Sequence, residues 1–229
     1  MKGKDSTGAL GLWGVLTVLI CVGVWSCETR EIGEPKTGQS ASEGRKLVFE
    51  DDFERSSLGS DWRRGEGEDG GGEWRIVDGE VRGSQIRNDP LWLTRPLPQN
   101  VRIEFEARAL NDDGDIKVEV FGDGRTHESG YILIFGGWNN KLDVIARLDE
   151  HGQDRKARPT RSVEPKTNYE MAIERTGSAV KWYVDGEHFM TYEDSDPLRG
   201  RDHRYFAFNN WVAPVAFDDV KVYRLPADQ

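Results

Sequence analysis

Between residues 47 and 225, apolar residues occur only in short runs, which Gly, Asp, Asn and Pro residues interrupt every few positions. This region lacks the 3.6-residue apolar period of a long amphipathic helix. Its clearest pattern runs from Val101 to Ala109, where apolar and charged residues alternate with the period of two that a half-buried strand requires. The region is therefore predicted to be all-β.

Turn signals and the number of strand-like runs predict how these strands are arranged. Asp78-Gly79 and Asp185-Gly186 each separate two such runs, and Asp-Gly readily adopts the positive φ angles of a type I′ hairpin turn. Residues 116–120 continue the alternation of 101–109 and are predicted to form its antiparallel partner. About a dozen strands favour an antiparallel β-sandwich with jelly-roll topology, and a closed barrel is the alternative.

The charge and cysteine content exclude several classes of protein. The chain carries a formal net charge of -10, so it would repel a nucleic-acid backbone, and nucleic acid is not an expected partner. The two cysteines are Cys21 and Cys27. The predicted domain therefore has no thiol for a disulfide, a zinc–thiolate site or a cysteine nucleophile.

The N-terminus has the features of an export signal. Lys2 and Lys4 precede an apolar run over residues 9–25, which gives the positive and hydrophobic regions of a signal peptide. The run ends at Val-Trp-Ser-Cys, which resembles the bacterial lipobox and implies that Cys27 is lipidated and becomes the new N-terminus. Residues 1–26 are therefore predicted to be a lipoprotein signal peptide. The alternative is an uncleaved transmembrane anchor.

The predicted lipid anchor divides the chain into three parts and predicts where the protein is located in the cell. Residues 27–46 contain the lipidated cysteine and a polar segment with too few apolar residues to fold, which is predicted to be a flexible tether. Residues 47–229 are predicted to form the β-sandwich domain. We expect the protein to be exported and held by its lipid to a membrane of the bacterial cell envelope, facing either the periplasm or the surface.

Two passages place aromatic rings and amides at the ends of apolar runs. Residues 131–152 contain two strand-like runs joined by Gly-Gly-Trp-Asn-Asn, and residues 208–211 end in Asn-Asn-Trp. If both lie at one rim of the sandwich, flat rings and amides would form a surface suited to sugars. The candidate ligand residues are Trp138, Asn139, Asn140, Arg147, Asn209, Asn210 and Trp211. Alternatively, the indoles cover the core and the asparagines serve turns with positive φ.

Three further passages carry a resemblance to a known superfamily. They are FEDDFER at 49–55 with Trp62 behind it, WYVDGEHF at 182–189 and FDDVKVYRL at 217–225. Together they resemble the concanavalin A-like lectin/glucanase superfamily, particularly the laminin G-like and 3-keto-disaccharide-hydrolase-like domains of bacterial surface lipoproteins. The resemblance implies a jelly roll with a lectin-like, hydrolytic or adhesive role. The glucanase motif E-x-D-x-x-E is not found, which counts against an enzyme of that kind.

Two sets of residues are weak candidates for catalysis. Glu104 and Glu106 share a strand face about 6 to 7 Å apart, which fits a glycosidase pair. Arg102 and Arg108 flank them on the same strand, however, and Lys117 is predicted to face them, a pattern that favours solvated cross-strand charge pairs.

The second set follows the central strand-like run. His151 and Asp149 are candidate acid and base groups there, and the alternative is a charged surface loop.

Carboxylates near the two ends of the domain are candidate metal ligands. Several members of the superfamily hold a structural calcium ion near paired terminal strands. The resemblance therefore implies that Asp51 and Asp52 could bind Ca²⁺ together with Asp218 and Asp219, because calcium prefers oxygen ligands. Turn and edge carboxylates are the alternative interpretation.

Three functions remain open at this point. The first is a membrane-anchored, exported, carbohydrate-binding β-sandwich, and the second is a glycoside-acting hydrolase of the 3-keto-disaccharide type. The third is a surface adhesion or scaffolding module. A convergent acid/base pair in a concave pocket would indicate the enzyme, and a large exposed apolar patch away from any groove would indicate the adhesion module.

Overall fold

A computed structural model describes residues 44–66 and 72–227, so Cys27 and the predicted signal peptide lie outside the described residues. The strands are β1 Lys46–Asp51, β2 Trp62–Arg64, β3 Glu73–Val77, β4 Glu80–Ser84, β5 Leu91–Leu93, β6 Val101–Ala109, β7 Ile116–Gly122, β8 Tyr131–Gly136, β9 Leu142–Arg147, β10 Lys156–Pro159, β11 Tyr169–Thr176, β12 Ala179–Val184, β13 Glu187–Glu193, β14 Tyr205–Asn209 and β15 Val215–Arg224. One short helical turn, α1 Gly137–Asn140, joins β8 to β9. The described part of the chain has no helix with the length and apolar character that a membrane span requires.

The strands form two antiparallel sheets packed face to face. The first sheet has the order β13-β12-β11-β6-β15-β4-β3, and β1 also pairs with β15. The second sheet has the order β10-β9-β8-β7-β14-β5-β2. The predicted all-β jelly-roll sandwich is therefore confirmed, and the closed barrel is excluded.

The core between the sheets follows the alternation in the sequence. Strand β6 buries its apolar residues alternately and turns its charged residues outward. Aromatic rings pack the centre: Phe208 stacks on Trp62 at a centroid distance of 5.2 Å and on Phe217 at 4.2 Å. Large rings packed in this way bury much apolar area and add a favourable ring–ring term.

Both predicted hairpins are present. Strands β3 and β4 are joined through Asp78 and Gly79, whose φ angles are 56° and 80°. Strands β12 and β13 are joined through Asp185 and Gly186, with φ angles of 53° and 77°. Positive φ at both central positions is the requirement of a type I′ turn, so the Asp-Gly signal predicted these connections correctly.

The predicted pairing of residues 101–109 with residues 116–120 is wrong. Strand β6 pairs with β11 and β15 in the first sheet, whereas β7 pairs with β8 and β14 in the second. The connection between β6 and β7 therefore crosses from one sheet to the other. The alternating pattern did not exclude this, because the inner face of either sheet accepts the same apolar residues.

The second sheet is covered on both faces, and this positions the candidate site. Every residue of β7 and of β8 is buried. On the face turned away from the core, Ile132 and Ile134 pack with Val144 and Ala146, and Trp138 packs against them. Residues 131–135 are apolar at every position, as a strand covered on both faces requires.

Candidate functional site

A cavity of about 740 Å³ lies on the outer face of the second sheet. Strands β7 and β8 contribute its floor, and the loops that follow β2, β4, β6, β7, β8, β9 and β14 contribute its walls. Its lining residues are Glu66, Arg87, Asn88, Asp113, Asp115, Lys117, Thr126, His127, Glu128, Ile134, Trp138, Asn139, Glu150, His151, Trp211, Val212 and Ala213. Sites for small molecules commonly have volumes of this order.

A buried charge pair lies at the floor of the cavity. Lys117 alternates with the core residues Ile116 and Val118, so its side chain points to the opposite face of the sheet. It is only 1% exposed, and its Nζ donates to Glu150 Oε2 at 2.7 Å and to Asn88 Oδ1 at 2.8 Å. A buried ammonium group needs such partners, because an unpaired buried charge is strongly destabilising.

A second polar cluster lies beside this pair. Glu119 Oε1 accepts hydrogen bonds from His127 Nδ1 at 2.7 Å and from Asn209 Nδ2 at 2.6 Å. Because an ionised carboxylate only accepts, His127 carries its proton on Nδ1, and Nε2 is left as the free ring nitrogen. That buried Nε2 has no hydrogen-bond partner among the described residues and lies 3.7 Å from Glu150 Oε2.

The surroundings shift the pKa of two carboxyl groups in the cavity. Burial alone would raise the pKa of Glu150, but the charge and hydrogen bond of Lys117 hold it below its ordinary value. Burial raises the pKa of Asp115, against the opposing effect of Lys117. Asp115 Oδ2 also accepts a hydrogen bond from the backbone N–H of Trp211 at 2.8 Å, which ties two loops of the cavity wall together.

Two indole rings lie at the rim. Trp211 is 46% exposed, which is unusual for so large an apolar side chain. Trp138 is half-buried, with its ring edge-to-face against His151 at 5.5 Å and beneath the Arg155 guanidinium at 5.0 Å. The cavity therefore has one freely accessible aromatic surface and one that neighbouring side chains hold in place.

The turn that presents Trp138 is strained. Trp138 and Asn139 have φ angles of 54° and 57°. This is a left-handed backbone conformation that residues other than glycine rarely adopt. Asn140 fixes the turn, since its amide donates to the Val163 carbonyl and accepts from the Val163 N–H, both at 2.8 Å. Strain of this kind persists only where surrounding contacts hold it, and it is frequent at ligand sites.

Of the predicted ligand residues, the structure brings Trp138, Asn139 and Trp211 to the cavity. The side chain of Asn140 instead binds the backbone of Val163, and Asn209 and Asn210 are fully buried. Asn209 holds Glu119, whereas Asn210 donates to the carbonyl of Ala213 at 2.5 Å. These three amides shape the site rather than face it.

The charged residues that follow the central strand do not come together in one site. His151 lies on the cavity rim with an exposed side chain. Asp149 accepts the His151 N–H at 2.8 Å and so stabilises the local turn. Arg147 is outside the cavity and binds Asp194, with Nε 3.0 Å from Oδ2.

Glu104 and Glu106 lie on the outer face of the first sheet, away from the cavity. Glu104 forms ion pairs with Arg102 and Arg45 at 2.6 and 3.1 Å, and Glu106 accepts a hydrogen bond from Asn168 at 3.0 Å. Such contacts belong to the cross-strand charge pairs that were the alternative interpretation. Lys117 was expected to face these residues and does not, because β7 belongs to the other sheet.

The predicted calcium ligands lie on neighbouring strands, since β1 pairs with β15 and Asp51 is in register with Val220. Asp51 is occupied by an ion pair with Arg55 and by the Trp62 indole N–H at 2.7 Å. No group of three or more His, Cys, Asp or Glu residues that could hold a metal ion is found in residues 44–66 and 72–227. Asp52 and Asp219 remain candidates, and calcium binding stays a prediction, which a melting temperature unchanged by EGTA and by added Ca²⁺ would contradict.

Asp218, the remaining calcium candidate, lies in an acidic environment. Burial, together with the neighbouring carboxylates of Asp219, Glu106 and Glu80, raises the pKa of Asp218 to about 6. Because the folded state raises this pKa, Asp218 lowers the stability of the domain progressively as the pH rises from the ordinary aspartate pKa to about 6, and that stability returns as the pH falls through the same range.

From the sequence, the polar residues that lie on the floor of the cavity or directly beside it were not identified as site residues. They are Asn88, Lys117, Glu119, His127 and Glu150. The available signal was the sequence IKVEVFG, in which a lysine and a glutamate share one face of a strand rich in apolar residues. That pattern is typical of a solvated outer face, and only the loops folded over it make it a site.

No family model matches the sequence, and no curated protein matches it. Solved structures with a similar fold include the carbohydrate-binding module CBM66 from Bacillus subtilis, which is 16% identical, with 72% of this chain and 96% of that chain covered and a TM-score of 0.56. SCLam, a non-specific endo-β-1,3(4)-glucanase of family GH16, is 14% identical, with coverages of 80% and 92% and a TM-score of 0.57. A protein with a galectin-like fold from Bacillus subtilis is 13% identical, with coverages of 79% and 97% and a TM-score of 0.52. These similarities show the concanavalin A-like fold that the sequence passages predicted.

Replacing Lys117 with Met tests the buried charge pair. The variant leaves Glu150 buried without its partner, so we expect the free energy of unfolding at pH 7 to fall by about 3 to 5 kcal/mol. In the native protein the lowered pKa of Glu150 adds stability above the ordinary glutamate pKa, which is lost as the pH falls through the folded value. The deficit of the variant should therefore shrink in acid, where Glu150 protonates, as urea titrations at several pH values would show.

The double variant Lys117→Met/Glu150→Gln is the matched control for this experiment. Because it removes both charges, most of the lost stability should return. A deficit that is equal in the single and double variants, and independent of pH, would contradict the role of the pair.

Proposed function

We propose that this protein binds a carbohydrate in the cavity on the second sheet. The observation that carries the proposal is the combination of two rim indoles, Trp138 and Trp211, with a polar floor in a cavity of about 740 Å³. A sugar ring has an apolar face of C–H groups and an edge of hydroxyl groups. The cavity offers a surface for each.

The exposed ring of Trp211 is suited to stack on a sugar face, since burying an accessible indole is favourable and the flat ring imposes an orientation. Asn88, Lys117 and Glu150 lie below it and supply both donors and acceptors for hydroxyl groups. Because Lys117 binds both Asn88 and Glu150, the positions of the three side chains are set before a ligand enters. Such preorganisation reduces the entropic cost of binding.

The comparisons support a carbohydrate as the ligand. Among the solved structures with this fold, one is named a carbohydrate-binding module and another a glucanase. The likeness to the module extends over 96% of that chain, so a domain of this extent exists as a binding unit. The same sandwich also hosts enzymes, and the fold alone therefore does not choose between binding and hydrolysis.

A glycan-array screen of the native protein and of Trp211→Ala and Trp138→Ala tests carbohydrate binding. We expect binding of at least one glycan by the native protein, and a loss of affinity of about tenfold or more in each variant because the stacking surface is removed. Isothermal titration with the best glycan measures the change.

Tyr223→Ala is the control for this screen, because Tyr223 is a half-buried aromatic residue on β15 in the first sheet, far from the cavity. It should bind as the native protein does. Affinity unchanged in both tryptophan variants would place the ligand elsewhere. The absence of binding across a broad array would reject the carbohydrate proposal for those glycans.

A second candidate function is acid/base chemistry on the bound glycan. The observation that favours it is the free, buried Nε2 of His127, held by the hydrogen bond from Nδ1 to Glu119. A carboxylate that orients an imidazole in this way fixes its tautomer and leaves the other nitrogen ready to accept a proton. His127 replaces Glu106, Asp149 and His151 as the candidate group for the hydrolase hypothesis.

The variant His127→Gln separates catalysis from binding. If the protein converts its glycan, the rate of product formation should fall about a hundredfold or more, while binding of the intact glycan persists. His151→Gln is the control, and a native protein that forms no product from any bound glycan would rule out this candidate function.

The adhesion hypothesis finds less support. In the described part of the chain, the exposed large apolar side chains are Leu47, Val48 and Trp211. Trp211 belongs to the cavity, and the other two lie near the start of β1. No broad apolar patch of the kind expected for an adhesion surface is present among these residues.

The location of the protein in the cell is a further part of the proposal. We infer from the sequence that the protein is exported and anchored by a lipid on Cys27, so that the tether of residues 27–46 carries the sandwich above a membrane. Replacing Cys27 with Ser should move the protein from the membrane fraction to the soluble fraction of cells. Retention of the variant in the membrane would favour the transmembrane anchor instead.

A further inference from the structure

A second cavity, of about 500 Å³, lies near the other end of β7. Phe121, at the end of that strand, lines it, whereas Lys117, which lines the first cavity, lies about 13 Å away along the strand. Five arginines contribute to its wall: Arg175, Arg199, Arg201, Arg204 and Arg224. We call this feature the arginine cavity. No described carboxylate lines it, in a chain whose formal net charge is -10.

The central residue of the arginine cavity is Arg175. It continues the core-facing row of β11 after Met171 and Ile173, and it is only 3% exposed. Its guanidinium stacks over the Phe121 ring at 4.0 Å. Its side chain makes no hydrogen bond or ion pair with any residue in the described ranges, although it lines both the arginine cavity and a smaller adjoining cavity of about 110 Å³.

A buried guanidinium without a partner lowers the stability of the domain. Burial, the largest effect, lowers the pKa of Arg175, and the positive charge of Arg199 adds to that effect, whereas Tyr131 and Asp194 oppose it without forming a hydrogen bond or an ion pair with the guanidinium. The contact with Phe121 offsets part of the cost through a cation–π interaction. It does not supply acceptors for the N–H donors of the guanidinium, and a largely buried charge without a partner is destabilising.

The other arginines of the cavity are also poorly satisfied. Arg204 Nε is buried without a hydrogen-bond partner among the described residues. Arg199 donates only to the carbonyl of Gly177, at 3.3 Å. None of the five forms an ion pair with a described residue, whereas arginines elsewhere in the domain, such as Arg102 and Arg147, do.

We propose that the arginine cavity binds a phosphate or sulfate ester group. Guanidinium groups bind tetrahedral oxyanions through paired N–H donors, so several of them around one cavity suit this chemistry better than they suit a neutral sugar. The anion would supply the acceptors that Arg175 and Arg204 lack. The volume of about 500 Å³ leaves room for a group attached to the ester.

The ester belongs either to a soluble molecule, such as a phosphorylated sugar, or to a lipid headgroup at a membrane surface. Both present the same oxyanion to the arginines. This site is independent of the carbohydrate site, because the two cavities share no lining residue. Failure of one proposal therefore leaves the other standing.

Isothermal titration of the purified protein at low ionic strength tests the site, with inorganic phosphate, inorganic sulfate and glucose 6-phosphate as probes and glucose as the uncharged control. Low salt is needed because added ions screen and compete. We expect the three anions to bind and glucose not to bind at this site. Bound anion should also raise the melting temperature, since a ligand specific for the folded state stabilises it.

The variant Arg199→Gln/Arg204→Gln should weaken binding of the anions about tenfold or more, because two charge-assisted contacts are lost. Arg75→Gln/Arg161→Gln is the matched control, since both residues are exposed, neither lines the cavity, and the net charge changes equally. The control should bind normally, as should Trp211→Ala. Arg175→Met, which removes the buried charge, should abolish the rise in melting temperature.

Flotation with phosphatidylcholine vesicles that contain phosphatidylglycerol distinguishes a soluble ester from a lipid headgroup as the source of the anion. Binding of glucose 6-phosphate without binding to these vesicles assigns the site to soluble esters. Binding to these vesicles alone, lost in Arg199→Gln/Arg204→Gln and kept in the control variant, assigns it to a headgroup. If neither the anions nor the vesicles bind, or if the variant and the control lose affinity equally, the proposal is overturned.

Discussion

The candidate site depends on the burial of charged side chains on the outer face of β7. Lys117 and Glu119 occupy positions that a sandwich normally leaves to water, and both are almost completely buried. They remain stable there because Glu150 and His127 are brought over the sheet by separate loops and supply the opposing charge and hydrogen bonds. The same contacts that satisfy the strand therefore hold those loops in place. The shape of the cavity is a consequence of this pairing.

The sequence was most informative where the signal was local. The alternation of Val101–Ala109 and the two Asp-Gly turns depend only on neighbouring residues, and the structure contains the strand and both hairpins. The crossing from β6 to β7 was not predictable in this way. Which sheet a strand joins is decided by contacts with distant strands, and β7 pairs with β14, which begins at residue 205.

The candidate site was predictable only in part, for the same reason. Trp138 and Trp211 were identified because glycine and asparagine neighbours indicate exposed turns, and both reach the cavity. Lys117 and Glu119 were missed because their partners are remote: Glu150 is 33 residues from Lys117, and Asn209 is 90 residues from Glu119. Asn209 itself was predicted to bind the ligand, because an amide can form hydrogen bonds with a sugar and with a buried carboxylate equally well. Only burial distinguishes the two roles.

One physical rule connects the two cavities. A charge removed from water must find an opposite charge or hydrogen-bond partners. In the first cavity the chain supplies them, and the floor is a mixture of basic, acidic and amide groups whose charges largely compensate one another. In the arginine cavity the described residues supply no carboxylate, although acidic residues outnumber basic ones by 41 to 31 in the whole sequence. A sequence so rich in acids had ample means to neutralise Arg175 internally, so its unsatisfied guanidinium is better explained by an anion that comes from outside the domain.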